Sequence, residues 1–263
     1  MENIEKFKNP TAEARDISPI SKDELVYVEN VKENSVEIIR YIGTEQYEEL
    51  IIPQKIDGKV VTKIGKEAFV GNKAKRLVIQ EGLKYIDWYA FKDCSNLIEI
   101  HLPRTLEYIG LKSFEGCRIE KLEVPQGVKR IEERAFYSCP ITWVIFKCEN
   151  ATIGKESFKN CQQLQTIDFL GTIKEIGGGA FWGCDVRCIQ LPTGLVKVEE
   201  DAFYSCKMLE SVYIPKTVKF IEAQAFSSVG TGITFYCEAR IKPLFWNSNW
   251  TSLPDHARWG QRI

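Results

Sequence analysis

The chain has 263 residues, of which 44% are apolar and 27% are charged, an ordinary composition for a globular protein. Thirty-five basic residues oppose 36 acidic ones, so the net charge of −1 gives no bulk electrostatic signal for nucleic acid or an anionic membrane. The longest apolar run falls short of the roughly 18 residues that a membrane span needs. We therefore expect no nucleic-acid partner and no membrane insertion.

The first residues, MENIEKFKNP, lack the apolar stretch of a secretory signal. As the sequence is written, this predicts a cytoplasmic protein. A processed start would instead allow a cell-surface or secreted location.

The chain divides into four predicted segments. Residues 1–24 are polar, contain two prolines and are predicted to form a flexible arm. Residues 25–63 are predicted to be an N-terminal cap, with a hairpin at Lys32-Glu33-Asn34 and a five-residue insertion around Asp57-Gly58. Residues 64–232 carry about eight repeats of 22–23 residues, and residues 233–263 are predicted to cap the other end.

A small residue followed by phenylalanine defines the repeat. Successive phenylalanines are 22 or 23 residues apart, isoleucine or valine stands five residues before each, and cysteine stands three residues after most of them. The phenylalanines are Phe69, Phe91, Phe114, Phe136, Phe158, Phe181, Phe203 and Phe226, and the cysteines are Cys94, Cys117, Cys139, Cys161, Cys184 and Cys206. No single repeat can bury these side chains, so stacked repeats must form continuous ladders.

Each repeat also contains an apolar-x-apolar block, such as Leu122/Val124, which predicts a strand with one buried face. The distances from this block to the following isoleucine and phenylalanine are constant. The one-residue difference in repeat length therefore falls between the cysteine and the next strand, as expected of a surface loop. The pattern predicts a repeat solenoid: a right-handed coil with a parallel strand face, short helical or irregular turns on the other side, and caps at both ends.

The unit LxxLxLPxxLxxIGxxAFxxC, as in LIEIHLPRTLEYIGLKSFEGC at residues 97–117, resembles the repeat of the BspA-like, or treponemal-type, leucine-rich repeat family. The segments YEELIIPQKIDGKVVTKIGKEAF and ITFYCEARIKPLFWNSNW resemble the usual start and finish of that family's array. The resemblance implies a curved, leucine-rich-repeat-like solenoid. It also implies bacterial surface adhesion and binding of host proteins, although exported members carry a signal sequence and none is visible here.

The nine cysteines indicate buried thiols rather than a disulfide framework or a zinc site. Six stand 22 or 23 residues apart, whereas zinc ligands occur as close pairs. Parallel side chains that point into a core are badly aimed for bridging, and cysteine is a common small buried residue. We expect these six to be buried, reduced and unmetallated, and native thiol labelling to mark mainly Cys148, Cys188 or Cys237.

The sequence shows no recognisable catalytic, cofactor-binding or metal site. His101 and His256 have no nucleophile beside them in a known motif, and His101 is expected on the exposed strand face. Gly177-Gly178-Gly179 lacks the Lys-Ser/Thr of a phosphate loop and predicts a tight turn. We therefore predict a protein that is not an enzyme, needs no cofactor and acts as a scaffold for an unidentified protein partner.

The exposed strand face is where we expect that partner to bind. Repeat four places Trp143 and Ile145 outward together, and it has Lys147 where proline is usual and Asn150 where other repeats have an aliphatic residue. Exposed apolar groups in mid-array indicate a contact site. The alternative is a repeat that has drifted, with Trp143 lying flat on its neighbours. The candidate partner-binding residues on this face are Trp143, Ile145, His101, Glu123, Asp168 and Tyr213.

Three tryptophans near the C-terminus, Trp246, Trp250 and Trp259, favour a cap whose rings cover the last coil. A carbohydrate- or peptide-binding aromatic cluster is the alternative. The second functional hypothesis is accordingly a bacterial cell-surface adhesion or carbohydrate-binding module.

Overall fold

The computed structural model describes residues 19–44 and 47–262, which form a β-solenoid of about ten turns with almost no helix. In each turn the chain passes through a strand of a first row and then through a strand of a second row. Neighbouring strands within each row are parallel. The predicted solenoid is confirmed, and the side opposite the first row carries a second row of short strands where turns were expected.

The first row is built from the apolar-x-apolar blocks. Its strands within the described residues are β3 (Glu49–Ile52), β6 (Arg76–Ile79), β8 (Glu99–His101), β10 (Lys121–Val124), β12 (Trp143–Phe146), β14 (Thr166–Phe169), β16 (Cys188–Gln190), β18 (Ser211–Ile214), β20 (Thr234–Cys237) and β21 (Ala257–Trp259). They are divided into three sheets, β3-β6-β8, β10-β12-β14 and β16-β18-β20-β21. The pairing is in register, so Leu122 lies beside Val144 and Val144 beside Ile167. Outward side chains therefore form columns along the solenoid.

The second row contains the isoleucine or valine that precedes each phenylalanine by five residues. Its strands are β2 (Ser35–Tyr41), β5 (Lys59–Ile64), β7 (Tyr85–Ile86), β9 (Tyr108–Ile109), β11 (Arg130–Ile131), β13 (Ala151–Ile153), β15 (Ile173–Ile176), β17 (Lys197–Val198) and β19 (Phe220–Ile221). In each two-residue strand the aliphatic residue is buried and the residue before it faces outward. β1 (Leu25–Asn30) and β4 (Lys55–Ile56) extend this sheet by antiparallel pairing.

The repeated phenylalanines form one continuous stack through the core. Neighbouring rings are 5.0 to 5.3 Å apart between centroids and lie nearly parallel. Tyr41 of the N-terminal cap continues the stack at 5.6 Å from Phe69, and Trp250 ends it edge-on at 6.0 Å from Phe226. Each ring fills space between two coils, so the stack stabilises the whole array.

The cysteines form a second ladder that hydrogen-bonds to the first. Each ladder thiol donates to the carbonyl oxygen of the phenylalanine in the preceding repeat, at 3.2 to 3.3 Å. In the last coil, the hydroxyl of Thr251 donates to the Phe226 oxygen in the same way, at 3.0 Å. Cysteine at this position is small and apolar and also donates one hydrogen bond through its thiol. Valine, as at Val229, fills the same space but has no hydrogen-bond donor in its side chain.

Two positions in every repeat have left-handed backbone, two residues before and two residues after each phenylalanine. Glycine occupies few of them, so most repeats hold an ordinary side chain in a conformation that costs roughly 1–2 kcal/mol. At the triple glycine, Gly179 takes the left-handed position with φ of 60°. A Cβ on Gly177 would lie 2.8 Å from the backbone of Gly154, which confirms the tight turn expected there.

Repeat length varies without moving either ladder. In the longer repeats a turn after the cysteine closes by a hydrogen bond from Leu97 N to Cys94 O, and Leu164 and Leu209 repeat this contact. In the shorter repeats that turn is absent, and Ile119 reaches the core one residue earlier. An aliphatic side chain is buried in both cases, so the segment is a surface turn of adjustable length beside a fixed core contact.

The N-terminal cap begins before the predicted boundary at residue 24. Residues 1–18 of the predicted arm lie outside the described residues, but Ile20 is buried and its N–H donates to Ile51 O. A short 3-10 helix (Lys22–Glu24), capped by Ser21, leads into the β1–β2 hairpin expected at Lys32-Glu33-Asn34. The insertion at Asp57-Gly58 is a tight turn between β4 and β5 in which both residues have positive φ.

The C-terminal cap continues the solenoid instead of closing it with a separate unit. β20 and β21 add to the first row, and Trp246 bridges Ile221 at the end of the second row. A second 3-10 helix (Pro254–His256) precedes β21. Trp246 and Trp250 are buried, and the Trp246 Nε1 donates to Val218 O at 3.1 Å. These two rings are core, as the capping interpretation predicts.

Candidate binding surface

The outward side chains of the first row form a long, shallow surface, which we call the first-row face. Its columns follow from strand register: Glu123, Ile145 and Asp168 lie side by side on β10, β12 and β14. The structure therefore brings three of the candidate residues together, with Trp143 two positions before Ile145 on the same strand. His101 lies one strand before this group, and Tyr213 lies two strands beyond Asp168.

Ile145 is not the exposed apolar group that the sequence predicted, because only 8% of it is accessible. Its neighbours on the face explain this burial. On one side Lys147 forms an ion pair with Glu123 at 2.6 Å, and on the other the Trp143 Nε1 donates to Asp168 Oδ2 at 2.6 Å. Trp143 is half-buried and leans towards the next strand, as the drifted-repeat alternative proposed. Both carboxylates thus already have partners within the protein.

The irregular loop of repeat four also buries a cysteine that was expected to be accessible. Asn150 adopts left-handed backbone with φ of 54°, which asparagine tolerates. The strand register shifts between Ala151 and Thr152, so Ala151 is buried beside Ile173 in place of the missing aliphatic residue. Cys148 is fully buried, and Cys237 is buried on β20. The expected labelling of these two thiols is therefore wrong, and Cys188 is exposed as predicted.

The N-terminal half of the first-row face is dominated by charges that pair with one another. Arg76 Nη2 lies 3.0 Å from Glu49 Oε2 across β3 and β6. His101 is exposed, as predicted, and its Nε2 lies 2.9 Å from Glu99 Oε1 on the same strand. A partner binding here would have to replace these pairs with contacts of its own, which gains little net free energy.

The C-terminal half has the opposite character. Tyr213 on β18 stacks on Tyr236 on β20, with ring centroids 4.7 Å apart and planes 11° from parallel. The other outward side chains on β16, β18 and β20 are Cys188, Gln190, Ser211 and Thr234, none of them acidic or basic. Charged residues flank these strands: Asp168 lies on β14, and the exposed Arg258 lies on β21 beside Tyr236. Ion pairs lie at the two edges, Arg187–Glu210 before the strands and Lys216–Glu238 after them, both at 3.2 Å.

The sequence identified Tyr213 but missed Tyr236. The run ITFYC has the same apolar-x-apolar pattern as the repeats, which would have placed Tyr236 in the outward column beside Tyr213. Tyr236 lies within the predicted C-terminal cap at residues 233–263, where no outward strand column was expected.

A second aromatic group lies on the outward side of the second row. Tyr85 on β7 and Tyr108 on β9 lie side by side, with centroids 6.3 Å apart, and Trp88 follows Tyr85 by three residues. Tyr85 is 42% exposed and Trp88 is 47% exposed. Burial raises the pKa of Tyr108, and the carboxylates of Glu132 and Asp87 act in the same direction. This group is not evident from the sequence, because its members come from two repeats.

Buried thiols and shallow depressions complete the chemically relevant groups. Burial raises the pKa of Cys161 and Cys206 to about 12, so both stay protonated at neutral pH. No cluster of three or more metal-ligating side chains occurs among residues 19–44 and 47–262.

Two open depressions of about 380 and 700 Å³ adjoin at the N-terminal end and share Arg40, Glu67 and Val70. In the described part of the chain no helix is long and apolar enough to span a bilayer.

The repeat geometry agrees with a match to a family model. The model for the BspA type leucine-rich repeat region matches residues 27–142 and 129–244. The chain belongs to this family. Membership places it among repeat scaffolds.

Solved structures show the same architecture. A leucine-rich repeat protein from Bacteroides ovatus is 25% identical, with a TM-score of 0.68 over 83% of this chain and 60% of that protein. The chain therefore spans about three fifths of the length of that relative. A Treponema pallidum leucine-rich repeat protein is 18% identical, with a TM-score of 0.54 over 88% of this chain and 92% of that one, a likeness of fold alone. No curated protein matches the chain.

Proposed function

We propose that the protein is a non-enzymatic scaffold that binds a protein partner through the C-terminal half of the first-row face. The observation that carries this proposal is the Tyr213–Tyr236 stack, which lies among three strands without outward charges and is bordered by Arg258 and two ion pairs. Protein interfaces share this arrangement, with few charges and enriched tyrosine at the centre and polar groups at the rim. Tyrosine and serine, both present on these strands, are also enriched in antibody binding loops.

The proposed contact is centred on Tyr213 and Tyr236, and not on repeat four as the sequence predicted. Ile145 has little surface to offer, and the polar end of Trp143 already bonds Asp168. Tyr213 and Tyr236 expose rings whose stacked arrangement needs no reordering on binding, and this lowers the entropic cost of association. Trp143, Glu123 and Asp168 lie two or more strands away from Tyr213, so they border the proposed contact without forming its centre.

The alternative function, carbohydrate binding in surface adhesion, is supported by Tyr85, Trp88 and Tyr108 on the second row. Exposed aromatic faces pack against the apolar faces of sugar rings, while nearby charged groups bond to the hydroxyls. Asp87 and Lys63, joined at 2.9 Å, lie next to the aromatic group and provide such charges. A glycan is small enough to use this narrow surface, whereas a protein partner needs roughly 800 Å² per side.

One experiment separates the two functions. The protein is tested against a panel of purified extracellular-matrix proteins, cell-surface proteins and glycans, together with the variants Tyr213→Ser/Tyr236→Ser and Tyr85→Ser/Trp88→Ser. Each double variant serves as the surface-matched control for the other. We expect a protein ligand whose binding falls at least ~30-fold with the first variant and stays unchanged with the second. A glycan ligand sensitive to the second variant alone would instead support the alternative.

A further inference from the structure

The loop between β20 and Trp246 is anchored to the protein core at its C-terminal end by the Trp246 side chain. Trp246 is 3% exposed, bridges Ile221 and donates its indole N–H to Val218 O. Its backbone N–H closes a turn with Pro243 O at 3.1 Å. The residues just before it are therefore presented outward by a fixed support.

The outer side of this loop exposes large apolar side chains. Ile241 is 77% exposed, Leu244 is 88% exposed and Phe245 is 64% exposed. Phe245 packs at 5.3 Å on Phe220, which is itself 38% exposed on the edge strand β19. Scattered exposed apolar residues are normal, but three within residues 241–245, one of them packed on the exposed Phe220, are typical of an interaction surface.

Basic residues surround this apolar group. Lys219, Arg240 and Lys242 are exposed, and the sequence from residue 239 to residue 254 contains no acidic residue. The nearby carboxylates are already neutralised: Glu238 pairs with Lys216 and Glu222 pairs with Lys197. The local surface is therefore apolar and cationic, although the whole chain has a net charge of −1.

We propose that the loop of residues 239–245 docks on an anionic lipid surface, with Ile241, Leu244 and Phe245 entering the headgroup region. Apolar side chains among basic ones are the features that hold a protein at such an interface, through apolar burial and attraction to anionic lipid. A second copy of the chain fits less well, because a symmetric contact would bring Arg240 and Lys242 of both copies together. The expectation of no membrane insertion rested on net charge and apolar run length, and neither detects a short loop of this kind.

Vesicle co-sedimentation of the full chain tests this proposal. The probes are phosphatidylcholine vesicles and mixed phosphatidylcholine–phosphatidylglycerol vesicles at low and high salt. We expect binding to the mixed vesicles, weakened by salt. Leu244→Ser/Phe245→Ser and Arg240→Gln/Lys242→Gln should each reduce partitioning at least ~10-fold. Val31→Ser is the matched control, because Val31 is 83% exposed at the tip of the N-terminal hairpin, and it should bind as wild type does.

Three outcomes would overturn the proposal. The first is no sedimentation with mixed vesicles at low salt, and the second is binding that both loop variants retain. The third is a dimer in analytical ultracentrifugation that Leu244→Ser/Phe245→Ser abolishes while vesicle binding is absent, which would assign the loop to self-association. Circular dichroism of each variant confirms that the fold is intact.

Discussion

The Trp143 Nε1 donates a hydrogen bond to Asp168 Oδ2 across the neighbouring strands β12 and β14, at 2.6 Å. Trp143 lies on the first-row face, and this bond occupies the polar end of its side chain with a contact inside the protein. We predict that Trp143→Phe, which keeps an aromatic ring and removes the donor, lowers the free energy of unfolding by about 1 kcal/mol. Urea unfolding measures this.

The attribution to Asp168 is checked by a double-mutant cycle. In an Asp168→Asn background the same Trp143→Phe change should cost less, since the bond to a carboxylate is stronger than the bond to an amide. An equal cost in both backgrounds would show that packing of the indole ring, and not this bond, sets the loss.

The nine cysteines all lie within the described residues, and Cys188 is the one that is exposed. We predict that iodoacetamide labels Cys188 alone in the native protein and labels all nine after unfolding, as read by mass spectrometry. Cys188→Ser should remove the rapid native reaction. Rapid native labelling of Cys148 or of the six ladder thiols would contradict the buried positions that the structure assigns to them.

The buried thiols should make the fold sensitive to alkali. Burial raises the pKa of Cys148, Cys161, Cys206 and Cys237 to about 12, from an ordinary value of 9.0. Above pH 9 the unfolded chain loses these protons and the folded protein keeps them, so stability is full below pH 9 and falls as pH rises towards 12. Each such thiol should lower the free energy of unfolding by about 1.4 kcal/mol per pH unit in this window.

A matched variant isolates the thiol contribution from the ionisation of lysine and tyrosine. Cys206→Val places at the ladder position the residue that Val229 already provides in the last repeat. Urea midpoints measured at several pH values should fall less steeply for Cys206→Val than for wild type. Identical slopes would mean that the thiols are not what limits alkaline stability.

The phenylalanine stack predicts where truncation is most costly. Phe136→Ala should lower the free energy of unfolding by about 3–5 kcal/mol, because it leaves a cavity between two coils. Phe226 belongs to the last repeat, yet its ring is fully buried against Phe203, Phe235 and Trp250. We expect Phe226→Ala to cost about as much as Phe136→Ala, and Phe245→Ala, which removes an exposed ring, to cost close to nothing. A small loss for Phe226→Ala would show that the C-terminal coils fray.

Much of the fold was predictable because its core contacts recur at a fixed spacing. The period places Phe136 and Cys139 inside, and strand alternation places His101 and Tyr213 outside. The short second-row strands were not predictable from alternation, since two residues such as Tyr108 and Ile109 are too few to show a period.

The errors at the candidate site have a common origin. The pattern predicts which way a side chain points, and Ile145 does point outward, but its accessibility depends on what its neighbours do. Lys147 and Trp143 form contacts on either side of it, and their conformations follow from Glu123 and Asp168 on adjacent coils. Pairing between repeats is not visible in a single repeat, so the burial of Ile145 and the Tyr213–Tyr236 stack both required the structure.

The turn of adjustable length after each ladder cysteine has an evolutionary consequence. Because a residue can be added there without disturbing the phenylalanine or cysteine ladders, unequal recombination between repeats yields chains that still fold. Each exchanged repeat brings new outward residues, such as those at Ser211 and Tyr213, while the inward contacts stay the same. Recognition can therefore diversify by exchange of whole coils, faster than point mutation of a single packed core would allow.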